Sequence, residues 1–265
     1  MIANYHNHTY RCHHATGRED EYIKKAIAGG IKYMGFSDHI PCVNSDGSES
    51  GYRVSMDDRF NYSRSVLSLK EKYKDEIDIK LGYEAEYTPT LFDKMIEVCR
   101  ETGAEYLILG QHFIGDEYKK DHVSGNKSPD SEERLKAYVK QVIEGMRTGY
   151  FSYVAHPDVI NFTGKKKIYL EHMRKICEAS LELDVPLELN FLGIRDNRHY
   201  PNSVFWKLVG EMGCKVVYGC DAHDKKSAYD GESFKKAEKM RKKYGLNVIE
   251  IPPIKDIREL MTKNA

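Results

Sequence analysis

The chain has 265 residues, and its 41 Lys and Arg residues balance its 41 Asp and Glu residues, giving a formal net charge of zero. This length is typical of one large domain, and the balanced charge gives no support for a broad nucleic-acid or anionic-membrane surface. The sequence has neither a signal-peptide pattern nor an apolar run long enough for a membrane span. The six cysteines include no CxxC pair, which favours free thiols in a reducing compartment, and we predict a cytoplasmic protein.

Short apolar segments alternate with longer amphipathic segments along the chain. The predicted strands are 2–5, 33–37, 77–83, 106–110, 153–155, 186–189, 215–219 and 247–251. The predicted helices are 17–30, 57–73, 128–149, 167–183 and 233–245, and segment 39–55 is predicted as a long loop. About seven strand–helix repeats indicate an α/β fold with a mainly parallel sheet, either open and doubly wound or closed into a barrel. The sequence contains neither a GxGxxG motif nor a P-loop motif, so a nucleotide-binding function lacks its usual support.

Side chains that bind metals follow almost every predicted strand. In chain order they are His6 and His8, Asp38 and His39, Glu84, Gln111 and His112, His156 and Asp158, Asn190, and Asp221 and His223. One histidine at a strand end is usually structural, but recurrence at seven ends indicates a shared site, because the carboxyl ends of parallel strands meet at one edge. Imidazole and carboxylate together suit zinc, manganese or iron(II). We therefore predict a multinuclear metal site in which Glu84 bridges two cations.

The motifs that contain these residues form a recognisable series. HNHT, SDH, GYE, GQH, AHPD and GCDAH, in this order, resemble the polymerase and histidinol phosphatase (PHP) superfamily. CHH after HNHT, GFSDHIP, EKYKDEIDIKLGYEAEY and the segment from Arg195 to Pro201 are similar to its histidinol-phosphate phosphatase branch. The resemblance covers residues 2 to about 250. It implies a distorted (β/α)7 TIM-like barrel, with residues 1–265 as a single domain and the active site at the C-terminal ends of the strands.

The resemblance also implies a set of three zinc, iron or manganese ions and the residues that hold them. The first ion would be held by His6, His8, Glu84 and Asp221. Glu84 would bridge to a second ion that is also held by His112 and His156. The third ion would be held by His14, His39 and His223. At that third position the adjacent His13 is the alternative to His14.

The function implied by the resemblance is that of a metal-dependent histidinol-phosphatase of histidine biosynthesis. A metal-bound hydroxide would attack the phosphorus of L-histidinol phosphate, and Glu84 and Asp221 would take part as ligands. Arg195 and Arg198 are candidates for binding the phosphate, because a guanidinium binds phosphate oxygens in a bidentate manner. Arg195 comes first because it lies nearer the strand end. Asp38 either orients His39 or donates a proton.

Two alternatives remain at this point. The first is another PHP phosphoesterase, either a nucleotide or small-molecule phosphatase or a 3′–5′ exonuclease, for which a groove for single-stranded DNA would be needed. The second is a metal-binding domain without enzymatic activity, which would be inert toward phosphate esters. The main prediction is a small-molecule phosphate monoester as partner, with neither nucleic acid nor membrane.

Overall fold

The computed structural model describes residues 1–119, 121–124 and 131–263. Within these residues, parallel strands form one sheet in their order along the chain. The strands are β1 (Ala3–Asn4), β2 (Tyr33–His39), β3 (Asp78–Ala85), β4 (Tyr106–Leu109), β5 (Phe151–Val154), β6 (Leu187–Asn190), β7 (Lys215–Gly219) and β8 (Asn247–Val248). The helices are α1 (Glu19–Ala28), α2 (Arg59–Lys72), α3 (Phe92–Thr102), α4 (Glu132–Arg147), α5 (Lys166–Leu183), α6 (Phe191–Arg195), α7 (Ser203–Met212), α8 (Gly231–Tyr244) and α9 (Ile257–Lys263).

The sheet curls into a distorted TIM-like barrel, as predicted. Just beyond the ends of β1 and β7, Asn7 and Ala222 form a short parallel bridge. The amide of His8 donates to the Ala222 carbonyl at 2.9 Å, and the Ala222 amide donates to the His6 carbonyl at 3.2 Å. β8 instead extends the sheet along the start of β7, where Asn247 pairs with Lys215. The strands β1 to β7 therefore surround the barrel interior, and the closing bridge lies at the carboxyl end.

The barrel interior is filled by its own hydrophobic cluster, separate from the larger core between the sheet and the helices. Its buried members are Ala3, Tyr5, Tyr106, Ile108, Tyr153, Ala155 and Val217. The Tyr106 ring extends over β3, where a Cβ on Gly82 would lie 2.3 Å from a ring carbon. The Tyr106 hydroxyl donates to the Tyr5 carbonyl at 2.7 Å. This packed interior is the base on which the carboxyl ends of the strands rest.

The predicted helices correspond to α1, α2, α4, α5 and α8. The first residues of the predicted 128–149 helix, 128–130, lie outside the described residues, and α4 begins after Ser131, whose hydroxyl accepts from the Arg134 amide at 3.3 Å. The prediction missed α3, α6, α7 and α9. For α3 a signal was present, because its buried apolar residues recur at helical spacing.

The prediction of free thiols is confirmed, because all six cysteines are buried and have free thiols. Among the described residues, every helix is too short or too polar to cross a lipid bilayer.

Candidate metal centre

Glu84, near the end of β3, lies at the centre of a cluster of histidines. Its side chain is buried, and each carboxylate oxygen faces a different group of rings. Oε2 faces three imidazole nitrogens: His6 Nε2 at 3.4 Å, His8 Nε2 at 3.3 Å and His39 Nδ1 at 3.3 Å. Oε1 faces two others: His156 Nε2 at 2.9 Å and His112 Nε2 at 3.6 Å. The carboxylate thus lies between two groups of nitrogen donors, which is the arrangement that a bridging ligand needs.

Asp221, after β7, provides a second buried carboxylate in the same cluster. Its Oδ1 lies 3.5 Å from His6 Nε2, 3.4 Å from His8 Nε2 and 3.3 Å from His223 Nδ1. Asp221 has a φ of 46°, and His156 has a φ of 30°. Positive φ values are uncommon for residues other than glycine, and such strained residues cluster at functional sites.

A third group of rings lies beside His8. The centroid of His223 is 4.2 Å from that of His8 and 4.7 Å from that of His14, and the His39 ring is 5.5 Å from His14. The structure therefore brings His14 to the rim of the cluster. Its neighbour His13 ends a short 3₁₀ turn with a φ of 65°, and both histidines are exposed.

Two carboxylates and two of the rings have the ionisation states that metal ligands need. Although burial raises the pKa of Glu84 and Asp221, the surrounding histidines outweigh it and hold the pKa of both carboxyls well below the usual range. Burial lowers the pKa of His39, and burial together with His8 lowers the pKa of His223 to about 3. Both carboxylates are therefore ionised and these two rings are neutral near pH 7, as ligands must be. Burial lowers the pKa of His6 and His8, but the surrounding carboxylates outweigh it and raise the pKa of both rings well above the usual value, so a metal ion would have to displace a proton from each.

Some buried imidazole nitrogens of this cluster have no hydrogen-bond partner among the described residues, and a cation would fit between them. Within the described residues, the buried atoms without a hydrogen-bond partner include His6 Nε2 and His8 Nε2, which both face Glu84 and Asp221. Burying polar atoms without a partner is costly. A cation among them would satisfy both nitrogens and both carboxylates. The donor set of imidazole and carboxylate therefore fits zinc, manganese or iron(II).

Asp38 lies beside the His8 ring, which follows the neighbouring strand β1. Its Oδ1 lies 3.4 Å from His8 Nδ1 and accepts from the His39 amide at 3.1 Å. Its Oδ2 accepts from the amide of Thr9 at 3.0 Å and from the Thr9 hydroxyl. The sequence suggested that Asp38 either orients His39 or donates a proton, and its role stays a prediction. The His39 ring faces Glu84, Asp38 contacts His39 through its backbone amide, and the ring beside Asp38 is that of His8. Asp38 lies beside His8 because adjacent parallel strands bring the side chains at their carboxyl ends into contact.

The two candidate arginines make different contacts. The Arg195 guanidinium donates to Asp230 Oδ2 at 3.0 Å and to the Asp221 carbonyl at 3.2 Å. It is thus directed at the backbone of the turn after β7. Arg198 is half-exposed and donates to Asp196 Oδ2 at 2.9 Å and to the Tyr200 hydroxyl at 3.2 Å. Both arginines line the cavity above the histidines, and their phosphate-binding role stays a prediction.

This cavity has a volume of about 590 Å³ and a partly aromatic wall. Tyr52 from the 39–55 loop stacks on Phe113 with ring centroids 5.8 Å apart, and Phe113 packs on His122 at 4.0 Å. We call Tyr52, Phe113 and His122 the aromatic wall. Tyr52 also contacts the ring of His39 edge-on at 5.1 Å, so the wall borders the metal-ligand cluster directly.

The sequence analysis missed Glu188 and the aromatic wall. Glu188 is fully buried in β6 and lies 2.8 Å from His6 Nδ1. A signal for Glu188 existed, since it is the only charged residue in an otherwise apolar run, Pro186 to Leu189. Of the other strand-end residues, Asn190 donates to Asp221 Oδ2 at 3.1 Å. Asp158 instead accepts from the Trp206 indole at 3.0 Å and anchors α7.

The PHP domain family matches residues 4–191, which is more than half of the 265 residues. The chain therefore belongs to the PHP domain family, and the predicted resemblance is confirmed.

The chain is similar to several proteins described as histidinol-phosphatases. It is 24% identical to a "Probable histidinol-phosphatase" of Deinococcus radiodurans, over 84% of this chain and 86% of that protein. It is 23% identical to the "Histidinol-phosphatase" of Lactococcus lactis, over 92% of this chain and 91% of that protein. A crystal structure of the Lactococcus lactis histidinol phosphate phosphatase with zinc, L-histidinol and phosphate superposes with a TM-score of 0.71, at 19% identity over 96% of this chain and 98% of that chain. This structural likeness supports the barrel fold.

Proposed function

We propose that this chain is a histidinol-phosphatase, a metal-dependent phosphoric monoester hydrolase that converts L-histidinol phosphate to L-histidinol and phosphate in histidine biosynthesis. The observation that carries the proposal is Glu84, whose two oxygens face two groups of histidines at the base of an open cavity. The histidinol-phosphatases that match over most of their length support the choice of substrate. Residues 1–265 would act as one PHP-type domain, and the buried free thiols support a reducing, cytoplasmic location.

The proposed ligands divide into three sets. His6, His8, Glu84 and Asp221 would hold the first metal ion, and Glu84, His112 and His156 the second. His14, His39 and His223 would hold the third, with zinc, iron or manganese as the ion. When bound, these ions would neutralise the phosphate and supply an activated water as the nucleophile.

The remaining residues of the cavity would bind and orient the substrate. Arg198 has a half-exposed guanidinium at the cavity and would bind phosphate oxygens together with the metal ions. The aromatic wall would pack against the imidazole ring, because offset or edge-on ring contacts stabilise aromatic pairs. Arg195 would hold the backbone of Asp221, to which it donates. A cavity of about 590 Å³ lies within the usual size range of small-molecule sites.

The test is phosphate release from L-histidinol phosphate by protein purified without chelator and supplied with zinc or manganese. Glycerol phosphate, nucleoside 5′-monophosphates and a labelled single-stranded DNA serve as competing substrates. We expect kcat/KM for L-histidinol phosphate to exceed the others by about 100-fold or more. Equal hydrolysis of the small esters would indicate a broader phosphatase, and shortening of the DNA would indicate an exonuclease. Metal-loaded protein that hydrolyses none of them would indicate a binding domain.

A further inference from the structure

Glu188 lies in the barrel interior, directly beneath the histidine cluster. It belongs to β6, from which the predicted ligand set takes no residue, and its side chain has no exposed surface. Burying a carboxylate is unfavourable unless hydrogen bonds satisfy it. The contacts of Glu188 should therefore indicate what it does.

Each oxygen of Glu188 contacts an element that bears a predicted ligand. Oε1 lies 2.8 Å from His6 Nδ1, while the opposite nitrogen of that ring faces Glu84 and Asp221. Oε2 accepts from the backbone amide of His156 at 3.0 Å. This amide belongs to a residue with a φ of 30°, a strained conformation that needs support from its surroundings.

Asn190, two residues further along β6, extends the same set of contacts. Its side-chain amide donates to Glu188 Oε2 at 2.9 Å and to Asp221 Oδ2 at 3.1 Å. Because residues i and i+2 of a strand point to the same face, both side chains enter the barrel together. β6 thus connects ligand-bearing segments that follow β1, β5 and β7.

The neighbouring strand leaves space for this carboxylate. A Cβ on Gly219, in β7, would lie 1.7 Å from Glu188 Oε1. Any larger residue at 219 would displace Glu188 from His6.

We propose that Glu188 is a positioning residue of the metal centre. By accepting a hydrogen bond from Nδ1–H it holds His6 in the tautomer whose Nε2 lone pair faces Glu84 and Asp221, and it holds His156 through its backbone. A carboxylate behind a ligating histidine acts in this way in metalloproteins generally, by fixing the tautomer and the ring orientation. This inference rests on the proposed metal binding but not on the identity of the substrate.

The experiment compares Glu188→Gln with Glu105→Gln. The glutamine keeps the shape but has only one acceptor oxygen, so it cannot serve both His6 and the His156 amide. Glu105 is a matched control, because it is also a buried carboxylate that accepts from a backbone amide, that of Leu81 at 3.0 Å, and it precedes β4 at the other end of the barrel. Zinc affinity is measured by titration of chelator-treated protein without substrate, together with the rise in Tm that zinc produces.

We expect Glu188→Gln to lower zinc affinity by about 10- to 100-fold and to reduce the zinc-dependent rise in Tm. In Glu105→Gln we expect a lower Tm but an unchanged zinc affinity. Wild-type zinc affinity in Glu188→Gln would overturn the proposal. Because no substrate is present, this result stands even if L-histidinol phosphate is not hydrolysed.

A second measurement covers the case in which Glu188→Gln does not fold. The zinc-loaded wild-type protein, labelled with ¹⁵N-histidine, reports the tautomer of each ring by NMR, and the His6→Asn variant identifies the His6 signals. We expect the proton of His6 on Nδ1. A proton on Nε2 would contradict the proposed role of Glu188.

Discussion

The carboxylate of Glu84 occupies the space that a side chain at position 110 would need. A Cβ on Gly110 would lie 1.7 Å from Glu84 Oε1. The two backbones cannot separate easily, because the Gly110 amide donates to the Ala85 carbonyl at 3.1 Å, next to the paired strands β3 and β4. Glycine at position 110 therefore allows Glu84 to reach the histidines.

We predict that Gly110→Ala lowers kcat/KM by about 100-fold or more, because a shift of about 1 Å in a catalytic group has effects of that size. Metal content should fall as well. The control is Gly231→Ala at the start of α8, where the nearest atom to a new Cβ is at 3.5 Å. Wild-type kinetics and metal content in Gly110→Ala would show that Glu84 reaches the histidines even when position 110 carries a side chain.

Glu84→Gln should remove nearly all activity while the fold is retained. The amide lacks the negative charge that faces five imidazole rings, so metal binding should be lost, and with it a stabilisation of the transition state worth several kcal/mol. We expect kcat to fall by at least about 1,000-fold, as measured by phosphate release. Circular dichroism and elemental analysis are run in parallel, and a variant with full turnover would exclude the bridging role.

The two arginines should differ in their effects. Arg198→Ala should raise KM about 10-fold with unchanged metal content, because a hydrogen bond to a charged group contributes about 1.5–3 kcal/mol. Arg195→Ala, unlike Arg198→Ala, should lower the metal content, since Arg195 donates to the Asp221 carbonyl and pairs with Asp230. If Arg195→Ala raised KM alone, Arg195 would bind substrate directly, as the sequence suggested.

Phe113→Leu should weaken recognition of the imidazole ring. An aromatic pair contributes about 0.5–1.5 kcal/mol beyond its buried area, so we expect KM for L-histidinol phosphate to rise about 3- to 10-fold. Hydrolysis of glycerol phosphate, which has no ring, serves as the internal control and should not change. Equal losses for both substrates would mean that Phe113 only supports the metal centre.

Removal of metal should lower both activity and stability. The buried carboxylates and unpaired imidazole nitrogens of the cluster then lose their shared cation, and binding to the folded state alone stabilises it by mass action. Treatment with a chelator should abolish phosphate release and lower Tm by several degrees. For a chain of this length, each kcal/mol lost from the free energy of unfolding lowers Tm by at most about 4 °C. Zinc or manganese should restore both. An unchanged Tm together with unchanged activity would contradict a metal-dependent enzyme.

The position of the site could be predicted from sequence because strand ends are local features. Each apolar segment except 247–251 is followed within a few residues by a histidine, aspartate, glutamate or asparagine, and parallel strands place these ends at one edge. The motif series was specific enough to indicate the PHP family, which the family match confirms. The helix α7 was missed although a signal was present, because its buried residues Phe205, Trp206, Leu208 and Val209 recur at helical spacing, as those of α3 do.

The internal geometry of the site depends on tertiary contacts that no local pattern encodes. His6 and Glu188 are separated by 182 positions and yet lie 2.8 Å apart. Asp38 faces His8 rather than the His39 ring because of how β1 and β2 pair, and the Arg195 guanidinium is engaged by Asp230, 35 positions away. The amino-acid sequence alone thus determined which chemical groups meet at the carboxyl edge. Only the closed barrel decided which oxygen faces which ring, because side-chain orientation across a barrel depends on packing between distant strands.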